Sequence, residues 1–124
     1  YLNGSDGNGI YGNYIGTNAA GDASLSMNDG IPMGVGIKVH DSKNNIIGAP
    51  GAGNVLSGQG TGIEMTTGFN DGVASSGNKF QSNFIGTNAS GTAAIPNVNG
   101  FVVFGILNPV SSNIIGGINI TLAF

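Results

Sequence analysis

The sequence predicts an all-β protein: a right-handed parallel β-helix, or β-solenoid, of about four coils with three short strands in each coil. Three observations predict it. Short apolar segments recur along the chain, an asparagine opens most of them, and glycine supplies 24 of the 124 residues while charged residues make up only 7%. We expect residues 1–124 to form a single solenoid segment that is either an excerpt of a longer chain or a fibre subunit.

A long repeat is visible in the sequence. The segment Asn13–Ala19 returns at Asn83–Ala89, and Asn45–Gly48 returns at Asn113–Gly116, at offsets of 70 and 68 residues. The short segments between Gly and Asn exclude helices, because they carry no apolar stripe at helical spacing and glycine costs about 1 kcal/mol in a helix interior. A sandwich of hairpins would not repeat one asparagine register from unit to unit.

Each coil is predicted to contain a first, a second and a third segment. The first segments are Gly36–Val39, Gly62–Met65 and Gly100–Val103, with Tyr1–Leu2 as part of an earlier one. The second segments are Asn8–Tyr11, Asn45–Gly48, Asn78–Gln81 and Asn113–Gly116. The third segments are Asn13–Ile15, Asn54–Leu56, Asn83–Ile85 and Asn119–Thr121.

Equivalent residues of successive coils should stack about 4.8 Å apart and form columns. The expected inward columns are Leu2, Val39, Met65 and Val103; Ile10, Ile47, Phe80 and Ile115; and Ile15, Leu56 and Ile85. A corner column is expected at Asn8, Asn45, Asn78 and Asn113. Asparagine suits a corner because it tolerates the left-handed backbone of a sharp bend and its amide can bond to the next coil.

Three insertions interrupt the coils, at residues Ala19–Met33, Thr66–Gly77 and Ala89–Asn99. Insertions in repeat proteins commonly gather on one face, and loops of this kind are where binding residues concentrate. We therefore expect any ligand of this protein to touch them.

The runs Gly12–Gly21, Asn44–Gly48 and Gly51–Gly58 resemble the degenerate repeats of large bacterial secreted or surface proteins of the pectate-lyase-like superfamily. The resemblance covers essentially the whole chain, and it implies a right-handed parallel β-helix and an extracellular or cell-surface location. Members of that superfamily include polysaccharide lyases, hydrolases, phage tailspikes and adhesin passengers, so the resemblance leaves function open.

The sequence predicts no catalytic, cofactor-binding or metal-ligating residue. Lyases of this superfamily combine calcium-binding carboxylates with an arginine or lysine base, and this chain has no arginine. A glycosidase needs two carboxylates about 5–9.5 Å apart. The acids are scattered instead, at Asp6, Asp22, Asp29, Asp41, Glu64 and Asp71. Asp41 and Glu64 lie on neighbouring coils but in different columns.

Individual polar residues have simpler structural interpretations. Lys38 and Glu64 share an outward column, which predicts an exposed ion pair worth about 0.2–1 kcal/mol. His40 is the single histidine and is expected to be a solvated side chain beside Asp41, because no second histidine completes a metal site. We expect alanine at His40, Asp41 or Glu64 to leave stability and binding almost unchanged.

Two further motifs also favour structural roles. The run Asn3–Gly9 has the composition of a calcium-binding β-roll repeat but does not recur every nine residues, and Asp71 lies in the only similar loop, so a turn is expected. Thr17 and Thr87 lie two coils apart with Ser57 between them, which does not make a flat threonine array.

Charge and hydropathy exclude two classes of partner. The net charge is −3 with no basic cluster, so neither nucleic acid nor an anionic membrane surface is expected to bind. No apolar run reaches the roughly 18 residues that span a bilayer. The chain has no cysteine, so disulfides and thiolate metal sites are excluded.

Two classes of function fit these observations. The first is a structural segment of a secreted or cell-surface protein, such as a spacer, an adhesin stalk or a fibre subunit, which continues into further coils or associates end to end. The alternative is a carbohydrate-binding or polysaccharide-degrading module, whose partner would be a polysaccharide. The sequence has no tryptophan and several of its aromatic residues fall in inward columns, which favours the structural, non-enzymatic class.

Overall fold

The computed structural model describes residues 1–25, 32–68, 73–106, 108–116 and 118–122. Within these ranges the chain contains only β-strands, and the strands form three sheets that stack coil upon coil. The predicted parallel β-helix is confirmed. The same ranges contain no helical segment with the length and hydrophobicity that a membrane crossing needs.

In the described ranges, twelve strands make up the three sheets. Sheet A contains, in spatial order, β1 (Leu2–Asn3), β4 (Val35–His40), β7 (Thr61–Thr67) and β10 (Asn99–Gly105). Sheet B contains β2 (Gly9–Ile10), β5 (Ile46–Ile47), β8 (Lys79–Phe80), β11 (Val110–Ile115) and β12 (Ile118–Leu122). Sheet C contains β3 (Tyr14–Ile15), β6 (Val55–Leu56) and β9 (Phe84–Ile85). Each of the first three coils contributes one strand to each sheet because the chain passes from A to B to C and back, whereas the last coil contributes strands to sheets A and B only.

The register of every predicted inward column is confirmed. In sheet A, Val39 lies opposite Leu2 on one side and Met65 on the other. The remaining register partners follow the same columns: Met65 with Val103, Ile10 with Ile47, Ile47 with Phe80, Phe80 with Ile115, Ile15 with Leu56, and Leu56 with Ile85. The recurring apolar residues therefore meet because a parallel stack places equivalent residues directly above one another.

These columns form one continuous apolar core. Its fully buried members are Ile37, Val39, Ile47, Leu56, Ile63, Met65, Phe80 and Val110. Residues of the outer coils, including Leu2 and Ile15, are partly buried against it. Phe80 and Phe101 meet edge to face, with ring centroids 4.9 Å apart and planes at 82°. Val110 joins this core from a segment for which the sequence predicted no strand.

The left-handed corner residue is not the asparagine that the sequence predicted. The residue before each asparagine of the first corner column has positive φ, at Gly7 (70°), Asn44 (56°), Gly77 (67°) and Ser112 (56°). The column asparagines have ordinary φ, since only the preceding residue makes the bend. The predicted left-handed position was therefore wrong by one residue. The residue before the asparagine turns the backbone, and the asparagine that follows directs its side chain along the solenoid axis to the next coil.

The last segment also differs from its prediction. Residues Asn119–Thr121 were expected to form a third segment in parallel with β9, but β12 instead pairs antiparallel with β11, with Ile115 opposite Ile118. Only two glycines separate the two strands in the sequence, and Gly116 has a φ of 63°. Such a two-residue connection favours a hairpin over a corner. As a result β12 covers the edge of sheet B that the sequence left open.

Two of the three predicted insertions begin with matching hairpins. A bridge joins Thr17 to Ser24 in the first hairpin and Thr87 to Ala94 in the second. The two hairpins touch, because the backbone N–H of Ala89 donates to the carbonyl of Gly21 at 2.9 Å. The third insertion leaves from the other end of sheet A, so the insertions do not all share one face. Residues 26–31 and 69–72, with Asp29 and Asp71, lie outside the described residues.

We predict that Phe80→Asp unfolds the solenoid, because a carboxylate would enter a dry column in which nothing can pair with it. Phe80 is 3% exposed, whereas its neighbour Lys79 on the same short strand is exposed. Lys79→Asp is therefore the matched control and should leave the melting temperature nearly unchanged. Circular dichroism melts of the two variants check this, and an unchanged melt for Phe80→Asp would refute the column assignment.

Candidate functional site

The first corner column is an uninterrupted ladder of asparagine amides. Asn8 donates both its backbone N–H and its side-chain Nδ2 to Oδ1 of Asn45, at 2.8 and 3.0 Å. Asn45 does the same to Asn78 at 3.0 and 3.0 Å, and Asn78 to Asn113 at 2.9 and 3.0 Å. One carbonyl oxygen thus receives two hydrogen bonds from the preceding coil, which joins backbone and side chain of adjacent coils.

The second proton of each interior amide is also used. The Nδ2 group of Asn45 donates to the carbonyl of Ser5, that of Asn78 to Ser42, and that of Asn113 to Ser75, at 2.9–3.0 Å. Asn45 and Asn78 are completely buried, and their side-chain amides have no unsatisfied polar atom. A polar side chain can be buried at low cost only when its hydrogen bonds are made. The asparagines are therefore tolerated here because the neighbouring coils place a partner at each amide atom.

A second ladder stands at the start of sheet C. Asn13 donates its backbone N–H and Nδ2 to Oδ1 of Asn54, and Asn54 repeats both bonds to Asn83, at 2.9–3.0 Å. The second Nδ2 proton of Asn54 goes to the carbonyl of Ile10, and Nδ2 of Asn83, at the end of the ladder, donates to the carbonyl of Ile47. The two ladders therefore flank sheet B, the first at the corner that enters it from sheet A and the second at the corner that leads from it to sheet C.

A further asparagine stabilises the return from sheet C to sheet A. Oδ1 of Asn97 accepts the backbone N–H of Gln59 at 2.8 Å, and its Nδ2 donates to the carbonyl of Leu56 at 2.8 Å. Sequence reasoning missed this residue. Its only signal was its place just before a first segment, and no equivalent asparagine in the other coils made a column visible.

The outward face of sheet A carries the ion pair that the shared column predicted. Nζ of Lys38 lies 2.7 Å from Oε1 of Glu64, and it also lies 5.8 Å from the centre of the Tyr1 ring. The hydrogen bond to Glu64 raises the pKa of Lys38, although partial burial acts in the opposite direction. Both side chains reach solvent, so screening keeps the contribution of this pair to stability small. Its geometry is that of a structural pair.

His40 and Asp41 are held more firmly than the sequence predicted. Nδ1 of His40 is 2.7 Å from the Thr66 hydroxyl, and its Nε2 is 3.3 Å from Oδ2 of Asp41. Asp41 is 7% exposed, has a φ of 48°, and accepts the backbone N–H of Gly68 through Oδ1 at 2.8 Å. The carboxylate therefore fixes the start of the insertion after sheet A. Asp41 and Glu64 bond to different partners and do not form an acid and base pair.

The other acids serve local turns. Oδ1 of Asp6 accepts the backbone N–H of Lys43 on the next coil, at 2.6 Å, so the Asn3–Gly9 run forms a turn tied to its neighbour. Oδ1 of Asp22 accepts Nδ2 of Asn18 inside the first hairpin, at 2.8 Å. Among the described residues, no three His, Cys, Asp or Glu side chains come together as a metal site requires.

The threonine and serine positions do not form one surface. Thr17 is 5% exposed, and the hydroxyl of Ser57 donates to the carbonyl of Thr87 at 2.7 Å. The side chains of Thr17 and Ser57 are therefore buried rather than arrayed on a flat outward face.

An open groove of about 530 Å³ lies on the outward face of sheet C. Tyr14, Val55 and Phe84 occupy one outward column there, in register across three neighbouring strands. Tyr14 and Phe84 are 46% and 39% exposed, whereas Val55 between them is 2% exposed. We did not predict this groove from the sequence. The signal for it was the alternation of outward and inward residues in the third segments, which places these three residues on one outward face.

Comparison of the chain with protein-family models, with curated protein sequences and with solved structures found no match.

We predict that Asn78→Ala lowers the free energy of unfolding by about 2 kcal/mol or more, because its amide makes four hydrogen bonds and their partners would remain buried without it. Asn3→Ala is the matched control, since Asn3 is exposed and outside both ladders. Urea unfolding of the two variants measures the difference. Equal effects would contradict the importance of the ladder.

Asp41→Ala should destabilise the protein by about 1–3 kcal/mol, because the buried N–H of Gly68 loses its acceptor. This replaces the expectation, drawn from sequence, that alanine is harmless there. Asp41→Asn retains an oxygen acceptor and a residue type that tolerates the left-handed backbone, so it should cost clearly less. The comparison is made by chemical denaturation at neutral pH. An Asn variant as unstable as the Ala variant would show that the bond to Gly68 is unimportant.

Proposed function

We propose that this chain is a structural β-solenoid segment of a secreted or cell-surface protein, acting as a spacer, an adhesin stalk or a self-assembling fibre subunit. The observation that carries the proposal is the pair of asparagine ladders. Together they bond each coil to the next, through side chains that are buried at Asn45, Asn54, Asn78 and Asn113, and such bonds resist bending and shear of the segment. A stiff rod that spans distance is the function this geometry serves best.

The resemblance to the pectate-lyase-like superfamily fits this proposal. It implies a right-handed parallel β-helix and an extracellular or cell-surface location. The described residues support a structural role over catalysis, because the acids are engaged in turns and the ion pair. A rod of this kind is nearly uncharged and depends on hydrogen bonds rather than ionic networks, so it should tolerate changes of salt.

The proposed partner is further solenoid, supplied by the same chain or by a second copy. β1 lies at one end of sheet A and β10 at the other, so each has one edge unpaired within the sheet. Leu2, Ile10 and Ile15 at the first end are only partly buried against the core. An open parallel edge beside apolar side chains is a template for another strand, and head-to-tail stacking gives filaments because it does not close.

Light scattering and small-angle X-ray scattering of the isolated 124-residue chain test this proposal. We expect rods that lengthen as the protein concentration rises. Ile10→Lys, which places a charge on the first end, should reduce this growth, whereas Tyr11→Lys on the adjacent exposed position should not. A monomer that stays folded and does not associate at any concentration would refute end-to-end self-assembly.

A further inference from the structure

The groove on sheet C presents two exposed aromatic rings at a fixed separation along the solenoid axis. Tyr14 and Phe84 lie in register on either side of Val55, so two strand spacings, a distance of about 9.6 Å, separate their backbones. Val55 is buried and forms the floor of the groove, whereas both rings remain exposed. A ligand that lies along the axis therefore meets two aromatic contacts at a defined interval.

The two rings are held in place by the hairpins. A Cβ at Gly21 would lie 3.0 Å from the ring of Tyr14, and one at Gly91 would lie 2.9 Å from the ring of Phe84. Each ring thus packs against a glycine of the hairpin that follows its own strand. Because this packing restricts the rings before any ligand arrives, less side-chain entropy is lost on binding.

The lining of the groove is uncharged. None of the described residues that line it carries a charge, and Oδ1 of Asn83 already accepts two hydrogen bonds from Asn54. The lining therefore offers no partner for a phosphate or a carboxylate, and the part of a ligand that lies over the rings is expected to be apolar and uncharged.

A negative charge lies beside one end of the groove. Asp22 directly follows Gly21, the glycine that packs on the ring of Tyr14, and it is exposed. Its Oδ1 accepts Nδ2 of Asn18, which is a neutral donor, and Asp22 takes part in neither of the described ion pairs. The carboxylate can therefore pair with a basic group of a ligand at the Tyr14 end.

The Phe84 end lacks this charge, although its hairpin is built in the same way. Asn88 accepts the backbone N–H of Thr92 as Asn18 accepts that of Asp22, and Thr92 follows the glycine that packs on Phe84. Threonine thus occupies the position of the carboxylate. The groove is consequently asymmetric, with a basic group favoured at one end of the ligand only.

The distance between the rings matches the repeat of a polyproline II helix. This helix has three residues per turn and a rise of about 3.1 Å per residue, so every third residue returns to the same side after about 9.3 Å. A β-strand returns to the same side after about 6.6 Å, which does not match the rings. Proline-rich segments in this conformation dock on aromatic-lined grooves because they are already extended and lose little entropy.

We propose that this groove docks a proline-rich segment of a partner protein, bound as a polyproline II helix along the solenoid axis. Prolines three residues apart contact Tyr14 and Phe84, and the segment passes over Val55. A lysine or arginine beyond the first of these prolines pairs with Asp22. This role goes beyond the structural one, because it attaches a proline-rich partner to the side of the rod.

The test is an NMR titration of the intact chain with synthetic peptides that carry proline at every third position. Two such peptides place an arginine at the amino or at the carboxyl end, and a comparison peptide has alanine in place of every proline. At least one proline peptide should shift the amide signals of Ser82 and Ala89, which line the groove, and bind at least tenfold more tightly than the alanine peptide.

Variants of the rings measure the aromatic contacts. Tyr14→Leu and Phe84→Leu keep an apolar side chain but remove the ring, and each should weaken binding by about two- to tenfold. Phe84→Tyr should retain binding, because tyrosine is the residue at the equivalent position, Tyr14. Tyr11→Leu removes an exposed tyrosine outside the groove and should leave affinity unchanged.

Asp22→Thr tests the charge at the Tyr14 end. Threonine at the matching position of the second hairpin accepts the asparagine amide through its hydroxyl, at 3.1 Å, so the first hairpin should keep its structure. Binding of the arginine peptide should weaken by about 1.5- to fivefold at low salt, and the difference should shrink at high salt. A peptide without arginine should bind the variant and the parent protein equally.

Melting curves establish that all variants remain folded, and end-to-end growth should be the same in each. Failure of peptide binding is therefore distinguishable from failure of the structural proposal. The docking site would be overturned if no proline peptide bound, if the alanine peptide bound equally well, or if Tyr11→Leu cost as much affinity as the ring variants. An unchanged affinity of Asp22→Thr for the arginine peptide would refute the pairing with Asp22.

Two other occupants of the groove are outcomes of the same experiments. Binding of a neutral oligosaccharide such as cellohexaose, without binding of the proline peptides, would replace the peptide by a glycan. Self-association of the ligand-free protein that both leucine variants of the rings abolish would make the groove an interface between copies of the chain. Either result would overturn the proposal.

Discussion

The rest of this structure depends on the requirement that a buried asparagine amide have all its hydrogen bonds satisfied. Asn45 and Asn78 meet it only when an asparagine lies directly above and another directly below. A shift of one coil by a single residue would remove these partners and expose the apolar columns together, since side chains alternate along a strand. The ladders therefore set the coil register, and the apolar core supplies the burial that makes an error in that register costly.

This requirement explains why the loops vary in length while the hydrogen bonds at the corners stay the same. The spacing between ladder residues changes from 37 to 33 to 35 residues along the first ladder, yet each rung keeps the same pair of bonds. Extra residues leave the coil between fixed points and return to it, and the entropic cost of lengthening a loop grows slowly with its length. The fold can consequently acquire surface features without disturbing the stack, such as the hairpins and the turn at Pro50-Gly51, in which the N–H of Ala52 donates to the carbonyl of Ala49.

The sequence predicted the inward columns and the first ladder because both repeat the same residue type at the same place, as Ile47 and Asn45 do, whereas the second ladder was not predicted as a column. It misplaced the left-handed position because Gly7, Asn44 and Ser112 share a backbone shape but no side-chain type. It missed the antiparallel β12 because the apolar and asparagine pattern of Asn119–Thr121 imitates a third segment. The groove was not predicted: the outward residues Tyr14, Val55 and Phe84 of the third segments were a signal for it, but the position of Ala89 beside them depends on how the stack places an insertion.

The position of the groove follows from the alternation of long coils, which carry hairpins, and a short coil, which does not. The coil of β6 returns to sheet A through Ser57 and Gln59 without a hairpin. The hairpins that contain Gly21 and Ala89 belong to the coils on either side of it, so they are separated by two coil spacings along the solenoid axis. Even so the fit is tight, since a Cβ at Gly21 would come within 2.7 Å of Cβ of Ala89. A hairpin on the middle coil would have no space. The same alternation places an aromatic ring beneath each hairpin and only Val55 between them, so the packing that permits the hairpins also sets the distance between the two rings.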